Sequence, residues 1–156
     1  MPALSMILFS GDYDRAMAAL TVANGAAGEG DRVTIFFTFW GISLLRKLNA
    51  PGPGFLQTMF KRLMPTGPNK LGLSRFNFAG AGPCLLRRLI RQKKGQGVDD
   101  LLRMAIERGI DLVACQASLE LLGLTRAELL DTDRLRIGDV HDFLKNARQS
   151  EISLFV

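Results

Sequence analysis

A chain of 156 residues, 47% of them hydrophobic, is long enough to bury a core and too apolar to stay disordered. Its net charge of +5 raises nucleic acid as a partner, but much of the excess sits in Arg87-Arg88-Leu89-Ile90-Arg91-Gln92-Lys93-Lys94. No aromatic interleaves there to stack on bases, so a solvated helix face or a dock for an acidic protein is the better reading, and nucleic acid is not favoured.

The chain reads as a single domain, 1–156, with a long irregular insertion at about 49–82. Residues 3–9 are apolar and uncharged and predict a first strand. Ser10-Gly11-Asp12 turns the chain and supplies a helix cap. Residues 13–27 follow as a helix whose apolar face holds Ala16, Met17, Leu20, Val22, Ala23 and Ala26. Residues 32–39 are β-branched and aromatic, as in a strand buried on both faces. Trp40-Gly41 then turns into a short helix over 42–48. Strand, helix and strand within about 40 residues, without a hairpin signal, predict a right-handed parallel crossover. The longest apolar run, residues 33–45, is broken by Thr34, Thr38, Gly41 and Ser43. It falls short of the ~20 apolar residues of a spanning helix. With no transmembrane segment and no signal-type start, the protein is expected in the cytoplasm, its two cysteines as free thiols.

Residues 49–82 hold Pro51, Pro53, Pro65 and Pro68, many glycines, and an amphipathic stretch with Phe55, Leu56, Met59, Phe60, Leu63 and Met64. An insertion this long and apolar predicts a lid, a binding loop or an interface arm. Leu71, Leu73, Phe76 and Phe78 alternate with smaller or polar residues as in a short extended piece. A basic helix is expected over 85–94. Gly80 and Gly82 lack the lysine and hydroxyl residue of a phosphate loop, and no strongly apolar strand precedes them. Cys84 before that helix reads as a spectator.

Gly97-Val98-Asp99-Asp100 caps a helix over 101–108. Asp111-Leu112-Val113-Ala114-Cys115 then reads as a buried strand, and from Gln116 the pattern turns helical until Gly123. A cysteine at such a turn is exposed by the loop and faces free backbone N–H groups, conditions that favour its thiolate; buried cysteines are equally often inert small hydrophobes. Thr125-Arg126-Ala127-Glu128 forms a capping box. Residues 135–138 predict a short strand. Asp139 opens a helix with Val140, Phe143, Leu144 and Ala147 inward, and residues 150–156 form a last strand at an edge or a subunit contact. His141 reads as a surface residue, and no metal-ligand spacing is present. Asp12 and Asp14 read as helix-start residues rather than an acid/base pair.

The alternation predicts an α/β fold: a three-layer α/β/α sandwich, flavodoxin-like, with about five parallel strands. In such sheets reactive groups lie at the carboxyl ends of the strands. Ser10, Gly11, Phe39, Trp40, Cys115, Gln116 and Ser118 would share that rim, with Cys115 as reactive group and the others as binding residues.

In this order and spacing, five blocks resemble the DsrE/DsrF-like family of sulfur-relay proteins, in particular the subgroup often labelled "peroxiredoxin family". They are Ser10-Gly11-Asp12-Tyr13-Asp14; Phe36-Phe37-Thr38-Phe39-Trp40-Gly41; Met64-Pro65 with Lys70-Leu71-Gly72-Leu73-Ser74; Ala114-Cys115-Gln116-Ala117-Ser118 with Leu122-Gly123; and Leu154-Phe155-Val156. The resemblance implies a homo-oligomer, trimer or hexamer, of flavodoxin-like subunits without a cofactor. It also implies a persulfide carried on Cys115 and exchanged with rhodanese-like or small sulfur-carrier proteins. Gln116-Ala117 departs from the family's usual pair beside the thiol. In that reading the Met- and Phe-rich segment 55–82 shelters the persulfide. Three alternatives stay open: a non-catalytic binding module, a thiol peroxidase and a nucleotide-binding protein. The peroxidase is disfavoured because no arginine follows Cys115 before Arg126.

Overall fold

The computed structural model describes residues 1–50 and 52–156; Pro51, one of the prolines of the irregular segment, lies outside them. Five parallel strands form one sheet: β1 (Ala3–Leu8), β2 (Arg32–Phe37), β3 (Asp111–Cys115), β4 (Leu135–Gly138) and β5 (Ile152–Phe155), in the order β4-β3-β2-β1-β5. Among the described residues six α-helices surround it: α1 (Tyr13–Gly28), α2 (Phe55–Leu63), α3 (Ala81–Gln92), α4 (Val98–Glu107), α5 (Gln116–Leu122) and α6 (Val140–Ala147). The architecture is the flavodoxin-like α/β/α arrangement that the alternation predicts.

Strand order explains why the two faces of the sheet differ. From β1 to β4 each crossover steps the same way across the sheet, and right-handed connections stepping one way place their helices on one face. That face packs Leu4, Met6, Leu8, Val33, Ile35, Phe37, Leu112 and Ala114 against α1, α4 and α5 in the main core. The last crossover, β4 to β5, steps back over the whole sheet. Its helix, α6, therefore covers the opposite face, where Phe36, Val113 and Cys115 pack with Ile7 and Phe143. One eight-residue helix is a thin cover. Val140 and Leu144, expected inward, are outward, and Phe155 is 70% exposed.

Other local expectations shift for identifiable reasons. The second strand ends at Phe37, because residues 39–45 wind into a 3-10 turn. Gly41 makes that turn possible: a Cβ there would lie 2.1 Å from the Leu8 carbonyl oxygen. Asp12 opens α1 without a side-chain cap, since its carboxylate accepts the Ser10 hydroxyl at 2.8 Å. Val22 lies outside the core at 45% exposure. Residues 71–78 form no strand: Phe76 and Phe78 have φ of 57° and 40°, left-handed values incompatible with extended pairing. Asp14 instead pins this stretch, accepting the Ser74 amide at 2.9 Å and its hydroxyl at 2.5 Å.

The segment between β2 and α3 is anchored through buried charge. Arg46, 1% exposed, donates to the carbonyls of Lys61, Met64 and Pro65. It thereby satisfies acceptors at the end of α2 that no helical N–H can reach. Lys61, also 1% exposed, donates to both carboxylate oxygens of Glu128 at 2.8 and 2.9 Å and to the Gly123 carbonyl at 3.1 Å.

Candidate functional site

Cys115 is the last residue of β3 and the residue that opens α5. Its strand neighbour at the same level is Gly138, the last residue of β4. From these adjacent ends the chain departs in opposite directions, into α5 on the main-core face and α6 on the other. Divergent connections leave a crevice between carboxyl ends, the general location of ligand sites in open α/β sheets. Cys115 stands at that end of the sheet on the α6 side, 9% exposed. Its apolar neighbours are Phe36, Val113, Ile7 and Phe143. None belongs to residues 55–82, so the expected shelter from that segment is replaced by α6 and the sheet itself.

The sheet also brings an arginine to this cysteine. Arg136 pairs with Val113, and Gly138 with Cys115, so period two puts Arg136 and Cys115 on the same face. They are diagonal neighbours across two strands, about 7–8 Å apart at Cα. The Arg136 guanidinium folds towards the crevice: its Nη1 lies 3.0 Å from where a Cβ on Gly138 would stand and 3.2 Å from the Asp142 carboxylate. Gly138 leaves the space for this pair, since its Cβ would meet Asp142 Oδ2 at 2.6 Å and Val113 Cγ1 at 2.8 Å. Sequence distance hid Arg136. The signal that finds it is the register of two short strands.

The other predicted residues divide into two groups. Ser118, 3% exposed, bonds the Thr38 hydroxyl at 2.9 Å and accepts the Phe39 amide at 3.2 Å. It thus ties the first turn of α5 to the end of β2 and holds Phe39 at a φ of 45°, a strained value for a large side chain. Gln116 points outward and donates to Glu120 at 2.8 Å. Ser10, Gly11 and Trp40 line a separate cleft of about 300 Å³ with Phe9, Asp12 and Arg15. Gly11 belongs there because a Cβ would lie 2.8 Å from the Trp40 carbonyl oxygen. Phe9 bridges the rim, its ring 5.5 Å from Phe39 and 6.1 Å from Phe155.

Both cysteines are free thiols. Cys84 is exposed on α3, beside Arg87, Arg88 and Arg91 in a different cleft. His141 is largely exposed, 3.5 Å from Asp139. Hydrogen bonds from the Asp142 and His141 amides, with burial opposing and the His141 charge assisting, hold the Asp139 carboxyl below its ordinary pKa. Among the described residues no cluster of His, Cys, Asp and Glu is arranged to hold a metal ion.

The profile of the DsrE/DsrF/DrsH-like family matches residues 2–155. A Bacillus subtilis (strain 168) protein, uncharacterized protein YrkE, is 44% identical over 154 residues, covering 97% of this chain and 95% of that one. The sulfur carrier protein DsrE2 of Allochromatium vinosum is 27% identical over 165 residues, covering 98% and 97%. Among solved structures, the ychN protein from E. coli shares the fold with a TM-score of 0.57, at 9% identity and full coverage of both chains.

Proposed function

Because the chain belongs to the DsrE/DsrF/DrsH-like family, we propose that it works in sulfur relay, holding sulfane sulfur as a persulfide on Cys115. The observation that carries this reading is the place of Cys115: at the divergent carboxyl ends of β3 and β4, in the small apolar cluster with Phe36 and Phe143 and on the same face as Arg136. The likeness to a protein named as a sulfur carrier supports the same chemistry.

The Cys115 thiolate attacks the outer sulfur of a donor persulfide, R–S–SH. The S–S bond of the donor breaks, R–S⁻ leaves and takes up a proton, and Cys115–S–SH forms. No electrons are gained or lost overall. Release to an acceptor thiolate is the same exchange in reverse. Low exposure protects the persulfide from further oxidation, and Arg136, paired with Asp142 at 3.2 Å, stands on the same face of the sheet as the cysteine. The partners are donor and acceptor proteins of the rhodanese-like or small sulfur-carrier kind. The open edge of β5 and the outward Phe155 suit a homo-oligomer.

Intact-mass spectrometry tests this reading. Wild type, Cys115→Ser and Cys84→Ser are treated with a sulfane-sulfur donor and then with reductant. A reductant-reversible gain of one sulfur in wild type and Cys84→Ser, absent in Cys115→Ser, is expected. Loading that survives Cys115→Ser removes Cys115 as the carrier. A second reading, a non-catalytic binding module, is favoured by the low exposure of Cys115 and by the outward apolar side chains of α2. It predicts a chain that never loads sulfur and whose function survives alkylation of Cys115.

A further inference from the structure

One side of α3 sets a thiol among guanidinium groups. Cys84, Arg87, Arg88 and Arg91 stand at i, i+3, i+4 and i+7 of this helix, the spacing of neighbours on one side. Together with Asn69 and Asp99 they line a single cleft of about 630 Å³, a size that admits a small molecule. Cys84 is an exposed free thiol.

The protein's own carboxylates leave these arginines unpaired. Among the described residues none of the three forms a salt bridge; the ion pairs present involve other cations. Arg88 and Arg91 are exposed. Arg87 is fixed in place: its Nη2 donates to the Leu71 carbonyl at 2.9 Å, and its guanidinium carbon lies 4.9 Å from the centre of the Tyr13 ring. Neither contact brings it a full negative charge, and its Nε is buried with no acceptor among the described residues. One acid shares the cleft. Asp99 belongs to the first turn of α4, where the helix start favours a carboxylate on its own account. Three guanidinium groups against one carboxylate leave the cleft cationic. Guanidinium donors match carboxylate and phosphate oxygens. The cleft therefore suits a ligand with more than one acidic group, and the thiol suits one that it can join covalently.

We propose that this arginine cleft takes an acidic low-molecular-weight disulfide, R–S–S–R, and that Cys84 is the residue it modifies. The acidic groups of R sit against Arg88, Arg91 and the fixed guanidinium of Arg87. The Cys84 thiolate attacks one sulfur of the bound disulfide. The S–S bond of the ligand breaks, R–S⁻ leaves and takes up the proton that Cys84 gave up, and the mixed disulfide Cys84–S–S–R forms. Cys84 is oxidised, and the released thiol is the reduced half of the ligand. A thiol of the same class reverses the exchange. The inference is independent of the chemistry at Cys115. Cys84 gains a whole R–S group and Cys115 a single sulfur, so mass and peptide tell the two apart.

The test follows the Cys84 peptide of the full chain by mass spectrometry during exposure to three disulfides: oxidised glutathione, which is acidic, 2-hydroxyethyl disulfide, which is neutral, and cystamine, which is cationic. The ratio of the acidic to the neutral rate separates recognition of the disulfide from activation of the thiol, because a change in the thiolate itself alters all three rates alike. Arg88→Gln and Arg91→Gln, both at exposed positions, keep the wild-type circular dichroism and each lower this ratio several-fold, while the ratio of cationic to neutral rises. Asp99→Asn raises the acidic ratio, and high salt lowers it in wild type. Lys145→Gln, which removes an exposed cation from α6 on the opposite face of the sheet, leaves it unchanged. A ratio that Arg88→Gln and Arg91→Gln do not move overturns the proposal, as does a glutathione adduct that never forms on Cys84. An equal fall in Lys145→Gln overturns it too, because that assigns the effect to net charge and not to the cleft.

Discussion

Cys115 and Gly138 stand side by side at the ends of β3 and β4, and the missing side chain of one makes room for the environment of the other. A Cβ on Gly138 would fall within 3.0 Å of Asp142, Val113 and Arg136. Gly138→Ala is therefore expected to push Arg136 and Asp142 apart and to shift β4 from β3, costing about 1–3 kcal/mol as other overpacked sites do. Urea denaturation reads that cost. The same variant is expected to alkylate faster at Cys115, because the crevice opens; an unchanged alkylation rate would separate Gly138 from the cysteine.

Arg136 supplies the second prediction. Its guanidinium pairs with Asp142 at 3.2 Å and reaches towards the Gly138 end of β4, so the charge that a sulfur donor meets beside Cys115 depends on that pair. Arg136→Gln is expected to slow sulfur loading of Cys115 on the order of tenfold, and Arg136→Lys to restore part of the rate. Raising the salt concentration should narrow the gap between wild type and Arg136→Gln, since half-exposed charges are screened. Pre-steady-state mass spectrometry follows the rates. A gap that ignores salt would point to packing rather than charge.

Ser118 carries a third. Its hydroxyl is the partner of both the Thr38 hydroxyl and the Phe39 amide. Ser118→Ala leaves the Phe39 amide without its acceptor at a backbone position already strained, for a loss of about 1–3 kcal/mol. Because Phe39 packs on Phe9, hydrogen exchange should rise at Phe39 before it rises in the sheet interior. Uniform exchange across the sheet would mean that Ser118 is only a packing residue.

These three residues show what the sequence discloses and what it withholds. Asp111–Cys115 and Gln116–Leu122 were legible to the residue, because an apolar run after Gly109 gives way at once to helical spacing. The parallel sheet was legible from the alternation of such runs. Arg136 was not, because strand pairing joins positions 23 residues apart along the chain and register is set by both strands together. The apolar period of α2 announced a helix, yet a period does not say which face is buried; Lys61 and Glu128 decided that, 67 residues apart. The inward reading of Val140 and Leu144 failed because topology gave their face of the sheet a single short helix.

Glu128 gives the last prediction, and its sign follows from its surroundings. Burial alone would raise its carboxyl. The bonds from Lys61 and from the Thr125 and Ala50 amides, with the Lys61 charge, outweigh that and hold it below the ordinary value of 4.5. A carboxyl lowered on folding contributes stability that is fully present above its unfolded pKa and is lost as the pH falls through its lower folded value. The tie of α2 to the turn at Glu128 is therefore expected to hold at neutral pH and to loosen as the pH falls below the ordinary carboxyl value. At neutral pH, Lys61→Met alone leaves the buried Glu128 charge without its lysine and should cost about 3–5 kcal/mol, whereas Lys61→Met with Glu128→Leu should recover most of that loss. Urea denaturation of the two variants across the acid limb checks both points. If the double variant loses stability with falling pH as steeply as wild type, Glu128 is not the group that titrates.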